Sequence, residues 1–204
     1  MTKDRLLAFS DGVFAILITI LVLEFTVPNF KSGHLLEAMF HQWPILIAYV
    51  VSYFYVGTLW LFHHDYFNAL KAINRNLNLI NLLILFTITL INYPMALVAN
   101  TLSRGNLNDI RVAFITYDLV ALIISFMFYV LYSYIGKHHE LKSNRMENSA
   151  FAKNKYDPLI SVSLYILAII SSLFFVPLGA FFLLAGIGFH FVAYLRLSNI
   201  LGHR

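Results

Sequence analysis

The chain has 204 residues, of which 60% are hydrophobic and 12% charged, and its formal net charge is +4. Its mean hydropathy of +0.75 is too high for a soluble domain, which needs a polar outer face. The absence of cysteine excludes a disulfide framework, thiolate catalysis and cysteine-ligated metal. Because the long apolar runs are continuous rather than alternating, they predict membrane helices and not a transmembrane β-barrel.

Taken in chain order, the apolar runs predict one all-α domain over residues 1–204 with six membrane-spanning helices. Each run is close to the ~20 residues that cross a bilayer. The first run follows two basic residues, as in a signal peptide, but it is as long as a span and lacks a small-residue cleavage site. We therefore interpret it as a retained helix. The predicted spans cover residues 6–27, 43–62, 77–99, 112–135, 158–176 and 178–197.

The basic residues predict the orientation of these helices. With the N-terminus in the cytoplasm, the inner segments hold eleven basic residues and the outer loops three, as the positive-inside rule requires. An even number of spans then places both termini in the cytoplasm, and this loop charge explains the basic sequence without nucleic-acid binding. The inner set is Lys3, Arg5, Lys71, Arg75, Lys137, Lys142, Arg145, Lys153, Lys155, Arg196 and Arg204, and the outer set is Lys31, Arg104 and Arg111.

The first span lies within "RLLAFSDGVFAILITILVLEF", residues 5–25, and carries an aspartate that hydrocarbon would penalise. An ionisable side chain at the centre of a membrane helix costs ~2.5–3.5 kcal/mol on insertion scales, so Asp11 must face protein or water. At about 100° per residue, Ala15, Ile18 and Val22 share its side of the helix, which we expect to pack against other helices. A separate stripe, available to lipid, to other helices or to a pore, consists of Phe9, Gly12, Ile16, Thr19, Ile20 and Leu23.

Polar side chains of the next two spans lie at the predicted depth of Asp11. The segment "LWLFHHDYF" supplies Trp60, His63 and His64, and the third span supplies Asn81. A hydrogen-bonded cluster is the favoured interpretation, because adjacent histidines point about 100° apart on a helix. No second histidine pair has the spacing of metal ligands, so we expect no metal site.

Three further residues interrupt the apolar pattern of the later spans. Pro94 removes a backbone donor and is expected to kink the third helix. Asp118 and His190 are isolated ionisable groups within the fourth and sixth spans. We interpret each as a satisfied packing contact, with a proton relay as the alternative.

Together these segments resemble the transmembrane protein 175 family, the endolysosomal potassium channels of animals and their bacterial and archaeal relatives. "RLLAFSDGVFAILITILVLE" resembles the arginine-x-x-x-FSD signature of that family, "LWLFHHDYF" its Trp-Leu-x-His-His pattern and "NLLILFTITLINYP" its third helix. Phe62 stands where relatives often have asparagine. The single six-helix unit is similar to prokaryotic members, and the resemblance implies a homotetramer in the lipid bilayer of a prokaryotic cell membrane.

The resemblance also implies roles for individual residues. Four copies of the first helix would line the pore without a pore loop, and their apolar side chains would form a constriction. The implied constriction comprises Ile16, Thr19, Ile20 and Leu23, which belong to the stripe found from helix periodicity. The implied structural network, which anchors the pore helix, comprises Arg5, Phe9, Ser10, Asp11, Trp60, His63, His64 and Asn81.

The sequence therefore predicts a potassium-permeable cation channel whose hydrophobic constriction acts as gate and modest selectivity filter, with proton permeation as a further implication of the resemblance. Potassium is the permeant ion, and no cofactor is expected. The alternative is a proton-coupled ion or small-molecule transporter that uses Asp11 and His63, although such transporters usually have repeats or broken helices. No nucleotide-binding loop or catalytic constellation is present in the sequence, so an enzyme is not expected.

Overall fold

The computed structural model describes residues 2–144, 146 and 157–202, with side chains at all of these except 158 and 198–202. Four of the basic residues used to predict the orientation, Arg145, Lys153, Lys155 and Arg204, lie outside the described residues. The 3-10 helix Leu21–Glu24 continues the first α-helix, and His139–Leu141 follows the sixth. The α-helices are α1 Lys3–Ile20, α2 Leu35–Phe40, α3 Trp43–Asn68, α4 Arg75–Thr89, α5 Asn92–Arg104, α6 Leu107–Lys137, α7 Asp157–Phe174 and α8 Val176–Gly202.

Five stretches of the described chain are long and apolar enough to cross a membrane, and they correspond to five of the six predicted spans. The segment predicted as the fifth span, 158–176, contains α7, whose apolar part, Leu159–Phe174, is shorter than the other five. The protein is thus an all-α integral membrane protein with five candidate spans and one shorter apolar helix. The five are Lys3–Glu24, Trp43–Asn68, Arg75–Arg104, Leu107–Lys137 and Val176–Leu197.

Local sequence signals determine where these helices begin and end. The Thr2 hydroxyl accepts a hydrogen bond from the Arg5 amide, which lets α1 begin earlier than predicted. Gly105 adopts a left-handed conformation, with φ of 74°, and ends α5 directly before α6. The third predicted span divides into α4 and α5, because Pro94 has no N–H to donate to the Leu90 carbonyl. The predicted kink is therefore confirmed, as a break.

The helices pack so that α1 lies at the edge of the subunit. It contacts α3 and α4, whereas α6 lies among α4, α5, α7 and α8. The ammonium group of Lys3 donates to the backbone carbonyls of Asn68, at 3.1 Å, and Leu70, at 3.0 Å. These bonds hold the start of α1 at the same end of the bundle as the end of α3, which puts residues 10 and 11 level with the last turns of α3.

The buried face of α1 differs from the one predicted. The expected packing side was Asp11, Ala15, Ile18 and Val22, but Ala15 and Val22 are exposed and Ile18 is only partly buried. The buried face is centred on Phe14 and Leu17 instead. Phe14 fits beside the imidazole of His63, with ring centroids 5.4 Å apart, and this contact sets the rotation of α1. The fully buried residues are Leu6, Leu7, Ser10, Phe14 and Leu17.

Candidate functional site

Asp11 lies at the border of the buried face of α1 and accepts two hydrogen bonds from α3. The Trp60 indole N–H donates to Asp11 Oδ1 at 2.9 Å, and His64 Nδ1 donates to the same oxygen at 3.2 Å. The other ring nitrogen of His64, Nε2, accepts from the Asn68 amide at 2.7 Å, which matches Nδ1 as the donor to Asp11. We call Asp11, Trp60, His64 and Asn68 the Asp11 cluster.

Ser10 starts a second, fully buried set of bonds that joins α1 to α4 and α3. Its hydroxyl donates to the Leu6 carbonyl at 2.9 Å and accepts from the Asn81 amide at 3.0 Å. The amide oxygen of Asn81 accepts from His63 Nε2 at 2.6 Å. We call Ser10, Asn81 and His63 the Ser10 cluster. These bonds connect three helices through buried polar groups, although Nδ1 of His63 has no hydrogen-bond partner among the described residues.

Aromatic side chains enclose both clusters. His63 stacks on Phe67 of the next helical turn at 4.4 Å between centroids, and Trp60 lies 5.9 Å from the ring of His64. Phe62, the departure from the family pattern, points the other way and contacts Tyr66 and Phe128. Its position outside both clusters explains how an apolar residue is accommodated there.

The structure brings together six of the eight residues of the implied network: Ser10, Asp11, Trp60, His63, His64 and Asn81. The side chains of Arg5 and Phe9 are exposed, and the described contacts of the two clusters do not include them. Of the polar groups expected at the level of Asp11, Trp60 and His64 bind its carboxylate, whereas Asn81 binds Ser10 and His63 binds Asn81. The reason is the rotation of α3, which directs His63 into the core and His64 toward the surface.

Sequence reasoning missed two residues that complete this end of the subunit. Asn68 lies one turn after His64, and this i+4 spacing on a helix is a signal for an amide partner. Lys3 was counted only as a charge, although its ammonium group binds the backbone at the end of α3. Together they fix the ends of α1 and α3 against each other.

The other face of α1 is open and mainly apolar. Ile16 and Leu23 expose 64% and 72% of their surface in the single chain, and Gly12 and Thr19 are exposed on the same side. Ile20, the remaining member of the implied constriction, is only partly buried and packs on the core. Thr19 donates its hydroxyl proton to the carbonyls of Ile16, at 2.8 Å, and Ala15, at 3.0 Å, so its oxygen lone pairs point away from the helix.

Two further hydrogen bonds connect the segment that follows α1 to the bundle. The Asn92 amide at the start of α5 donates to Glu24 Oε1 at 3.4 Å, and the Gln42 amide donates to the Thr26 carbonyl at 2.7 Å. The helix is therefore fixed at both ends and along one side, while its opposite side has no described neighbour in the subunit.

Comparisons with known proteins identify the family of this chain. Its residues 5–92 match the family described as "Endosomal/lysosomal potassium channel TMEM175". A potassium channel of Streptomyces collinus is 35% identical over 72% of this chain and 71% of its own length. A potassium channel of a Chryseobacterium species is 34% identical over 91% of each chain.

A solved structure shares the whole architecture. The crystal structure of a lysosomal potassium-selective channel TMEM175 homologue from Chamaesiphon minutus superposes with a TM-score of 0.79, at 27% identity, over 94% of this chain and 97% of that one. The similarity therefore extends over the matched N-terminal segment and the remaining helices alike. The chain belongs to the TMEM175 family of cation channels and resembles its prokaryotic members.

Proposed function

We propose that the chain forms a potassium-permeable cation channel in which four copies of α1 surround the pore. The open apolar face of α1 is the observation that carries this proposal. A helix fixed on one side by the two hydrogen-bonded clusters presents Ile16, Thr19 and Leu23 along the other side. If this face contacted lipid, α1 would not need such strong attachment to its subunit. A helix at the axis of a tetramer must be held firmly by the rest of its subunit.

The constriction that we propose is built from Ile16, with Thr19, Ile20 and Leu23 toward the end that carries Glu24. Ile16 lies thirteen residues after Lys3, which at 1.5 Å per residue is ~20 Å along α1 and well within the bilayer. An apolar ring at this depth gates by dewetting and makes ion dehydration costly. Potassium holds its water less tightly than sodium, so the ring favours potassium modestly.

Thr19 provides the polar contribution within this ring. Because its hydroxyl proton is donated to its own helix backbone, its oxygen presents lone pairs to the axis, where a partly dehydrated cation would need them. Proton permeation through the same pore follows from the resemblance to the family. Asp11 acts here as an anchor and not as an ion ligand, because its bonded oxygen is occupied by Trp60 and His64.

The proposed subunit crosses the membrane six times, with α7 as the short fifth span and both termini in the cytoplasm. The tight connection between α7, which ends at Phe174, and α8, which begins at Val176, supports a hairpin that crosses and returns. The acidic and basic residues Asp157 and Arg196 then meet at its open end, where their ion pair at 3.8 Å can be hydrated.

Single-channel recording of the reconstituted protein tests this proposal. Unitary currents in opposing potassium and sodium gradients distinguish a channel from a transporter. We expect Ile16→Asn to raise the current and shift the reversal potential toward that of a non-selective pore, because an amide wets the ring and supports a less dehydrated ion.

The matched control is Ile166→Asn on α7, where the isoleucine is 43% exposed but far from α1. The control should leave conductance and reversal potential unchanged. Equal conductance and reversal potential in the two variants, or unaltered selectivity in Ile16→Asn, would show that Ile16 does not form the constriction. The absence of unitary currents in the parent protein would contradict the channel itself.

A further inference from the structure

The buried face of α7 is polar, although α7 lies on the side of the subunit away from α1. In the described part of this helix, the fully buried side chains are Ser161, Tyr165, Ala168 and Ser172. Their spacing of four, three and four residues places them on one helical face. Large apolar residues such as Ile166 and Ile170 point outward instead. A membrane helix that buries three of its hydroxyls and exposes its isoleucines lines a polar interior.

Helix α8 makes room for these hydroxyls with two glycines. A Cβ on Gly179 would overlap Ser172 Oγ, and a Cβ on Gly186 would lie 2.7 Å from the ring of Tyr165. No side chain can therefore replace either glycine without displacing the polar group that it faces. The facing pairs recur every seven residues on each helix, at Tyr165 and Ser172 on α7 and at Gly179 and Gly186 on α8. The glycines leave space for the polar atoms at this interface.

Helix α6 contributes a third row of polar groups. Asp118, Ser125 and Tyr132 recur every seven residues, so they share a face and are ~10 Å apart along the helix. Ser125 Oγ lies 3.1 Å from Nε2 of His190 on α8. The ring of His190 in turn lies 6.0 Å from that of Tyr165 and 5.7 Å from that of Tyr55 on α3. We call Asp118, Ser172, Tyr165, Tyr55, Ser125 and His190 the polar column.

One end of the polar column meets a cavity of about 40 Å³, which Ser125, His190, Ser161 and Asp157 help to line. A water molecule needs roughly 10–15 Å³ of such space, so the cavity has room for a few. Asp157, which precedes the apolar part of α7, lies at the cavity with Arg196 3.8 Å away. Burial raises the pKa of the Asp157 carboxyl, and Arg196 opposes that effect.

The other end of the polar column is a buried carboxyl group. Asp118 is 0% exposed, and neither of its oxygens has a hydrogen bond among the described residues. Its neighbours are the Ser172 hydroxyl and the phenols of Tyr117 and Tyr165, and the Tyr117 hydroxyl is already 2.9 Å from Ser52. None of these groups is cationic. An ionised carboxylate buried beside neutral hydroxyls is strongly disfavoured, whereas a protonated one is tolerated.

We propose that Asp118 is an internal proton-binding site of each subunit, and that the polar column connects it to water at the Asp157–Arg196 end. A proton leaves a hydronium ion in the cavity and passes along His190 and Ser125, which lie 3.1 Å apart, and then along the two tyrosines, with one O–H or N–H bond formed as another breaks. The phenol groups of Tyr55 and Tyr165 and the Ser172 hydroxyl have no fixed hydrogen-bond partner among the described residues, so each must rotate to pass the proton on. The net step converts hydronium and the Asp118 carboxylate into water and a carboxylic acid. This site is separate from the face of α1 and does not depend on the proposed pore.

Infrared spectroscopy of the purified, lipid-reconstituted protein tests this site without any transport assay. We expect the carbonyl band of a protonated carboxylic acid at neutral pH, absent from Asp118→Asn and shifted in heavy water. We expect His190→Phe to slow the deuterium exchange of that band by about tenfold, the size of effect that one lost polar contact produces. Ser163→Ala on α7, which removes an exposed hydroxyl bonded only to the Leu159 carbonyl at 2.8 Å, should exchange at the parent rate.

Two results would overturn the proposal. A spectrum unchanged in Asp118→Asn would mean that Asp118 is ionised, and equal exchange rates in His190→Phe and the parent would mean that protons reach it by another route. If Asp118→Asn does not fold, Ser172→Ala decides instead, because it removes the neighbouring hydroxyl with little change in volume. A shifted band then supports the site, and an unshifted band contradicts it.

Discussion

Asp11 illustrates how a single acidic residue is retained at the end of a membrane helix. Its carboxylate receives the Trp60 indole and the His64 imidazole on one oxygen, so two donors compensate the charge without a salt bridge to lysine or arginine among the described residues. Ser10, next in the chain, forms its own bonds in the core. Adjacent residues of α1 thus bind different helices, which resists both rotation and sliding of α1.

The first prediction concerns this anchor. Asp11→Ala should lower the thermal stability of the assembled protein, because it leaves Trp60 and His64 without their acceptor. The loss should be about 1 kcal/mol per subunit, the lower end for an unsatisfied donor, since this region is only partly buried. Asp11→Asn keeps one acceptor oxygen and should lose less. Thermal unfolding followed by size-exclusion chromatography measures both; a normal melting profile in Asp11→Ala with altered ion selectivity would identify Asp11 as an ion site.

At this scale, the residue types of the site were predictable and their pairing was not. Helix periodicity and membrane depth were sufficient to bring Trp60, the two histidines and Asn81 to the level of Asp11. The choice between His63 and His64 depends on a rotation of α3 of about 100°, one residue of helix. That rotation is coupled to how Phe14 of α1 packs against His63, which a sequence does not reveal.

Among the helices, the α7–α8 pair departs most from an ordinary membrane hairpin. Two helices in lipid associate through close packing, for which small residues are suited. Here the glycines of α8 face Ser172 and Tyr165 of α7. Their lack of a side chain leaves space for a hydroxyl and a phenol group at the helix interface. The pairing is specific, since each glycine accommodates one particular side chain.

The second prediction tests that specificity with two glycines of one helix. Gly186→Ala should destabilise the protein, because its new methyl group would meet the buried ring of Tyr165 at 2.7 Å. Gly188→Ala, two residues away, meets nothing within 4 Å and should be neutral or stabilising, since alanine is favoured over glycine in a helix by about 1 kcal/mol. Melting temperatures of the two variants provide the comparison. Equal melting temperatures would show that the Tyr165 ring can move aside for the new methyl group without a loss of stability.

The element boundaries were predictable where a residue imposes them, as at Pro94 and Gly105. The interior of α7 was not predicted, because hydropathy averages over the helix and hides four small or polar residues among larger apolar ones. Asp118 was interpreted as a satisfied packing contact; its oxygens have no hydrogen bond of ordinary geometry among the described residues, and the Ser172 hydroxyl is a polar neighbour. His190 does have such a bond, with Ser125, as expected. The seven-residue spacing of Asp118, Ser125 and Tyr132 was the available signal.

At the scale of the whole molecule, the exposed face of α1 and the exposed face of α7 lie in different surroundings within the subunit. On one side α1 packs mainly on α3 and α4, and its open face is apolar with a threonine in its centre. On the other side α7 exposes mainly leucines and isoleucines, together with Ser163, whose hydroxyl is bonded to its own helix backbone. The α7 surface is suited to lipid, whereas the α1 surface suits a narrow space shared by copies of itself.

The last prediction distinguishes these two surfaces in the assembled protein. The chain contains no cysteine, so single cysteines can be introduced without a background to remove. Leu23→Cys, at a side chain 72% exposed near the Glu24 end of α1, should form disulfide-linked dimers on mild oxidation, because four copies would meet around one axis. Leu173→Cys, at a side chain 54% exposed at the corresponding end of α7, should remain monomeric on denaturing gels, because lipid would separate the copies. Dilution into excess lipid before oxidation removes chance collisions. Crosslinking of Leu173→Cys in place of Leu23→Cys would put α7 at the subunit interface and α1 at the periphery, and would contradict the proposed pore.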